Sequence, residues 1–248
     1  MGHVADFDGD GKSDIVWHNA NGATSLWLMN GATIVQRGAL MAAGSTWTAT
    51  HVGDFDGDGR ADLAWRNGDG SVSIWLMNGI STVDRGALAG PGTTGGILHA
   101  ADMDGDGKAD LLFQAGDGSV AYWKMNGRTI AAQQVIMRAN TNWTVSNIAD
   151  FNGDGKADLV WLGRDGSIGT WLMNGATVLE KRTQFAAGTG WTCTVAQDMS
   201  GDAKADIVWS NANGAVGAWL MDGTSNVARA PLEPAGSTNK GVPLQFHQ

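Results

Sequence analysis

Five short stretches space acidic residues in the way needed to hold a hard cation. They read DFDGDGKSD, DFDGDGRAD, DMDGDGKAD, DFNGDGKAD and DMSGDAKAD. Oxygen-bearing side chains recur at the first, third, fifth and ninth places. These are Asp6, Asp8, Asp10 and Asp14, then Asp54, Asp56, Asp58 and Asp62, then Asp102, Asp104, Asp106 and Asp110. The fourth loop offers Asp150, Asn152, Asp154 and Asp158, and the fifth Asp198, Ser200, Asp202 and Asp206. The backbone carbonyl of the seventh residue (Lys12, Arg60, Lys108, Lys156 or Lys204) is expected to complete each set. Oxygen-only donors on a curled, flexible loop suit Ca2+ better than Mg2+ or Zn2+. An EF-hand begins alike but needs Glu at its twelfth place. Here that place holds Trp17, Trp65, Phe113, Trp161 or Trp209.

The expectation is therefore up to five structural Ca2+ ions. The fifth site should be weakest or empty, because Ala203 stands where the others have glycine and Ser200 replaces a carboxylate. With Kd of roughly 10⁻⁴–10⁻³ M, about 1 mM Ca2+ would add roughly 0.4–1.4 kcal/mol per site by mass action. Sub-micromolar cytosolic Ca2+ would leave such sites empty, which points to an extracellular or cell-surface setting. The formal net charge of −9 reads as a metal requirement, since 18 of the 25 acidic residues lie in the loops. No basic stripe marks a nucleic-acid partner, and no apolar run is long enough to insert in a membrane. The first residues lack a signal-peptide pattern, and the single cysteine, Cys193, leaves no internal disulfide and reads as a small buried hydrophobe.

The loops start 48 residues apart, four intervals in a row. A fixed period of this size means a repeat architecture. In the second copy Trp47–Gly53 reads as a strand, Leu63–Arg66 as a second, Ser71–Met77 as a third and Ser81–Leu88 as a fourth. Asp69-Gly70 signals a hairpin turn with positive φ at both positions, and Asn78-Gly79 a further tight turn. No helix is predicted. Four short antiparallel strands per unit describe a propeller blade whose aromatic faces need neighbours to cover them. The expected fold is all-β: a five-bladed β-propeller in one domain, 1–248. Ala235-Gly236-Ser237-Thr238 repeats Ala43-Gly44-Ser45-Thr46, which puts Lys240 in the slot before Met1. The two termini should then meet within the first strand of blade one and close the ring, leaving 241–248, with Pro243, as an overhang.

These loops and blades resemble the FG-GAP and VCBS class of repeats over residue 3 to about residue 240. That class includes the integrin α-subunit propeller, some fungal lectins and many bacterial surface and secreted proteins. The resemblance implies calcium ligation by the loop carboxylates. The Phe-Gly and Gly-Ala-Pro landmarks of the integrin repeat are missing, so integrin-like partners are not implied.

No catalytic group stands out. His3, His51 and His99 share one slot before the loop, where local partners are a better expectation than a second metal site. No serine sits in a G-x-S-x-G elbow, and Glu180 and Glu233 are the only glutamates. The expected function is a non-enzymatic binding module, lectin-like toward glycans. Trp47, Trp143 and Trp191 are the candidate platforms, with Arg37, Arg85 and Arg229 as polar partners. A protein-interaction or surface scaffold is the alternative, favoured by the variable slot of His18 and Arg66. A calcium-dependent hydrolase or lyase ranks third.

Overall fold

A computed structural model of the chain describes residues 2–237. Blade one comprises β1 (His3–Ala5), β2 (Asp14–His18), β3 (Thr24–Asn30) and β4 (Thr33–Met41). Blade two has β5 (Trp47–Gly53), β6 (Asp62–Asn67), β7 (Val72–Asn78) and β8 (Ser81–Ala89). Blade three has β9 (Gly95–Ala101), β10 (Asp110–Ala115), β11 (Val120–Asn126) and β12 (Thr129–Met137). Blade four has β13 (Trp143–Ala149), β14 (Asp158–Gly163), β15 (Ile168–Asn174) and β16 (Thr177–Phe185). Blade five has β17 (Trp191–Gln197), β18 (Asp206–Asn211), β19 (Val216–Asp222) and β20 (Ser225–Glu233). Each blade is a separate four-stranded antiparallel meander. No helix in the described residues is long and apolar enough to cross a membrane.

The strands follow the sequence pattern closely, but the first hairpin turn does not. Gly22 N–H donates to Asn19 O at 2.9 Å, and Asn19 N–H to Ala23 O at 2.8 Å. Among the turn residues only the glycine has positive φ, 88° at Gly22 and 97° at Gly70. This is a type I turn closed by a glycine bulge, not the expected turn with two positive φ values. Asn21 and its counterparts stay in ordinary backbone because Oδ1 of Asn21 accepts the Ala23 N–H at 3.1 Å. The second hairpin is a two-residue loop with Gly31 first, at φ 60°, which suits the right-handed twist of its strands.

Blades are held face to face. Among the described residues, four apolar clusters join blade one to two, two to three, three to four and four to five. Trp65, Trp161 and Trp209 are fully buried in them, as are Phe7, Phe55 and Phe151. Each tryptophan of the second strand also meets an aromatic of the third, as Trp65 does Trp75 at 4.9 Å between ring centroids. The Trp ladder is thus a packing device. Cys193 is half-buried at the edge of the last cluster, and desolvation pushes its thiol upward.

First strands of successive blades lie side by side, β1 by β5, β5 by β9, β9 by β13 and β13 by β17. The slot-sharing histidines act there. His3 Nε2 donates to Ala49 O of the next blade at 2.9 Å, and His51 Nε2 to Leu98 O at 3.0 Å. His99 Nε2 reaches Val145 O at 3.3 Å. They are stitches between blades, where the sequence had suggested local partners. The outer ends differ from these joints. Trp17 is 44% exposed and Met199 46%, although the same slots in inner blades are buried. Ring closure as expected from Thr238, Lys240 and 241–248 falls outside the described residues.

Candidate functional site

Each acidic loop is curled by its own carboxylates. Asp6 Oδ1 accepts the N–H of Gly9, and Asp6 Oδ2 that of Gly11, both at 2.7 Å. Asp8 Oδ1 accepts the Asp10 N–H at 3.2 Å, and Asp10 Oδ1 the Lys12 N–H at 2.9 Å. Gly9 and Gly11 permit the curl with φ of 78° and 79°. The ninth residue acts differently. Buried Asp14 accepts Phe7 N–H at 2.9 Å and Met29 N–H at 2.8 Å, strapping the loop entry to the third strand. Asp62, Asp110, Asp158 and Asp206 repeat this strap. Outside the third loop, where Tyr122 also bonds Asp110 Oδ2, each strapped oxygen has a second lone pair to offer. Sequence spacing alone suggested a cation ligand and did not reveal the strap, because the second N–H lies on another strand.

Among the described residues, the first three loops gather carboxylate oxygens closely enough to hold a metal ion. Asp6, Asp8 and Asp10 each bring an oxygen within 4.8 Å of the others, as do Asp54, Asp56 and Asp58. Burial pushes Asp62 and Asp158 up to about 7 against the pull of their backbone N–H bonds, and Asp110 up to about 6. Asp14 is raised for the same reason. Charge buried this way calls for a counter-ion, and a divalent cation would supply it. The fourth loop retains the geometry with one carboxylate fewer, and Asn152 Nδ2 donates to Asp154 Oδ2 at 3.2 Å. In the fifth, Ala203 takes φ 67° in the slot of Gly11, at a cost of roughly 1–2 kcal/mol.

The third loop departs most. Lys124 Nζ pairs with Asp104, and with Asp106 Oδ2 at 2.9 Å. Tyr122 Oη lies 2.9 Å from Asp110 Oδ2 and 3.2 Å from Asp104 Oδ2. Neither residue was singled out from sequence. The signal was available, as Lys124 stands where Leu28, Leu76, Leu172 and Leu220 stand in the other blades.

The loops also join blades. Ala61 N–H donates to Asp6 O at 2.7 Å and Gly79 N–H to Phe7 O at 2.8 Å. The same two bonds link the second loop to Ala109 and Gly127, the third to Ala157 and Gly175, and the fourth to Ala205 and Gly223. Order in a loop is therefore order in a blade joint.

The aromatic candidates divide. Arg37, Arg85 and Arg229 stack over Trp27, Trp75 and Trp219, at 4.6, 5.3 and 4.1 Å from the ring centroids. Their partners are third-strand tryptophans of their own blades. Trp47 and Arg85 do share a cleft of about 450 Å³ between blades one and two. Trp191 instead stacks on Phe185 at 5.6 Å. Trp143 lines a cleft of about 490 Å³ between blades three and four, with Gln114, Asn140, Asn142, Thr144 and Arg164. Asn140 and Asn142 hold left-handed φ of 60° and 59°. Asn140 occupies the slot of Gly44, Gly92 and Gly188, and that break in a glycine column was the overlooked sign of this cleft. Gln114 bridges the blades by donating to Trp143 O at 3.3 Å, and Arg66 donates to Thr93 O at 2.9 Å.

The sequence profile of the FG-GAP-like repeat matches residues 6–65, 54–113, 102–161 and 150–209. The chain belongs to the FG-GAP-like repeat family. Each match of this FG-GAP-like chain runs from one acidic loop through the second strand of the next blade, so the joint itself is part of the family pattern. Among solved structures, a lectin from Agrocybe aegerita, described as recognising non-reducing terminal N-acetylglucosamine, superposes with a TM-score of 0.68 at 16% identity. The match covers 93% of this chain and 65% of the lectin, so the chain spans less than two thirds of that protein. The WD40 domain of SCAP from fission yeast superposes with a TM-score of 0.55 at 10% identity, covering 94% of this chain and 57% of that one. At these identities the likeness is one of fold: propeller blades in a repeat arrangement. No curated protein matches the chain.

Proposed function

We propose that this FG-GAP-like chain is a non-catalytic, calcium-stabilised module that binds glycans on an exported or cell-surface protein. The observation that carries the reading is the cleft of about 490 Å³ at the third joint. It combines an indole with amides and a guanidinium, the set that stacks on a sugar's C–H face and bonds its hydroxyls. Two asparagines held in left-handed backbone at its rim are strain of the kind stored at binding sites. The sugar recognition described for the Agrocybe aegerita lectin, on the same fold, supports the class of ligand. Calcium is supported by the oxygen clusters of the first two loops and by the buried carboxylates behind them.

The ring-closed form belongs to the same proposal. β1 covers three residues where β5, β9, β13 and β17 each cover seven, which leaves room for the chain's end to complete that strand. Closure would bury Trp17 and Met199.

A glycan array probed with calcium-loaded protein tests the function, with terminal N-acetylglucosamine glycans included. Saturable binding that Trp143→Ala abolishes supports it. Silence across the array would favour a protein-binding scaffold, for which the exposed Trp17 and Met199 faces are the supporting observation.

A further inference from the structure

Four blades place a leucine on the third strand beneath the acidic loop, and three of these leucines (Leu28, Leu76 and Leu172) are buried. Blade three places Lys124 there, with the only tyrosine, Tyr122, two residues before it. The ammonium lies between the third and fifth carboxylates of the loop, on Asp104 and Asp106. Rim cations elsewhere do less. Lys12 meets Asp10 alone at 2.5 Å and Arg60 meets Asp58 alone at 2.6 Å. In the third loop the rim residue Lys108 turns away and donates to Asn126 Oδ1 at 2.6 Å. An ammonium on two loop carboxylates and a divalent ion cannot share them without like-charge repulsion.

We propose that Lys124 is the resident cation of the third loop, so that this loop stays closed without calcium while its neighbours need the ion. The inference rests on the calcium reading of those neighbours. The donor set itself survives, since Asp102, Asp104 and Asp110 still bring oxygens within 4.8 Å of one another. Replacing Lys124 by the leucine of the other blades should therefore restore a metal site. The consequence is local. The third loop clasps blade three to blade four through Ala157 and Gly175, and those blades flank the Trp143 cleft. That joint keeps its shape at low calcium.

Two measurements on the full chain test this. Native mass spectrometry in Ca2+ should count one more ion on Lys124→Leu than on wild type. Hydrogen exchange on wild type alone, with and without EDTA, reads the loops separately. Amides of Gly57 and Gly59, which bond Asp54, should lose protection about tenfold or more on chelation. Those of Gly105 and Gly107, which bond Asp102, should hold within about twofold. Equal ion counts, or loss of protection in the third loop alongside the second, would overturn the proposal. If no loop responds to EDTA, the calcium reading fails and takes this inference with it.

Discussion

Trp65 and Trp17 occupy the same slot of the same repeat, yet one is fully buried and the other 44% exposed. Phe55 and Met199 differ in the same way on the opposite face. The blades fold alike, so the difference comes from neighbours. An inner blade is covered on both faces, while blades one and five each present one face that no cluster of the described residues covers. Stability in such an array is a sum of blades and joints, and the joints hold most of the large side chains.

The sharpest break of that comparison is paired truncation. Trp65→Ala should destabilise by about 3–5 kcal/mol in chemical denaturation, as expected for a large buried side chain. Trp17→Ala should cost far less if the first face stays open to solvent, and about as much if the ring closes over it as proposed. Equal costs would mean that the first face is covered in solution, which is the closed ring.

Calcium removal comes next. Four loops clasp a following blade, so EDTA should lower Tm, reflecting a loss of roughly 0.4–1.4 kcal/mol of unfolding free energy for each calcium-loaded site. Asp54→Asn, in an inner loop, should lower it more than Asp198→Asn at the end. Scanning calorimetry at fixed Ca2+ reads both.

Acidity offers a smaller and signed effect. In the metal-free fold Asp62 and Asp158 take up protons near pH 7, whereas the unfolded chain does so near 3.8. Falling pH therefore protonates the folded form first. EDTA-treated protein should gain stability from pH 8 to pH 5 and lose that trend below about 4. With Ca2+ bound, the carboxylates stay ionised and the same acidification should weaken the protein. Denaturant midpoints across pH, with and without metal, separate the two. The smallest change expected is Ala203→Gly. It relieves left-handed strain in the fifth loop and should raise stability by about 0.5–1 kcal/mol. A loss would show that the loop is not strained.

The sequence carried the blades well because strand alternation, turn glycines and loop acids are all local signals. The strands of blade two fell within one residue of Trp47–Gly53, Asp62–Asn67, Val72–Asn78 and Ser81–Ala89. What escaped was set by partners far along the chain. Asp14 straps to Met29, Gln114 reaches Trp143, and Lys124 turns into a loop some twenty residues before it. The stacking of the arginines on third-strand indoles escaped for another reason. Arg37 and Arg229 lie directly across the hairpin from Trp27 and Trp219, a register that the turn geometry fixes and composition does not.

The clasps at the loops have a direction. The later blade always supplies the N–H and the earlier loop the carbonyl, as from Ala61 to Asp6 and from Gly79 to Phe7. Cutting away the final blade would bare the carbonyls of Asp150 and Phe151 at the clasp, together with Gln184 Nε2 and Arg182 Nη1, which donate to Thr224 O and Ser225 Oγ. Cutting away the first would instead bare the N–H donors of Ala61 and Gly79. Shortened versions of the chain should thus expose a different hydrogen-bonding edge at each end.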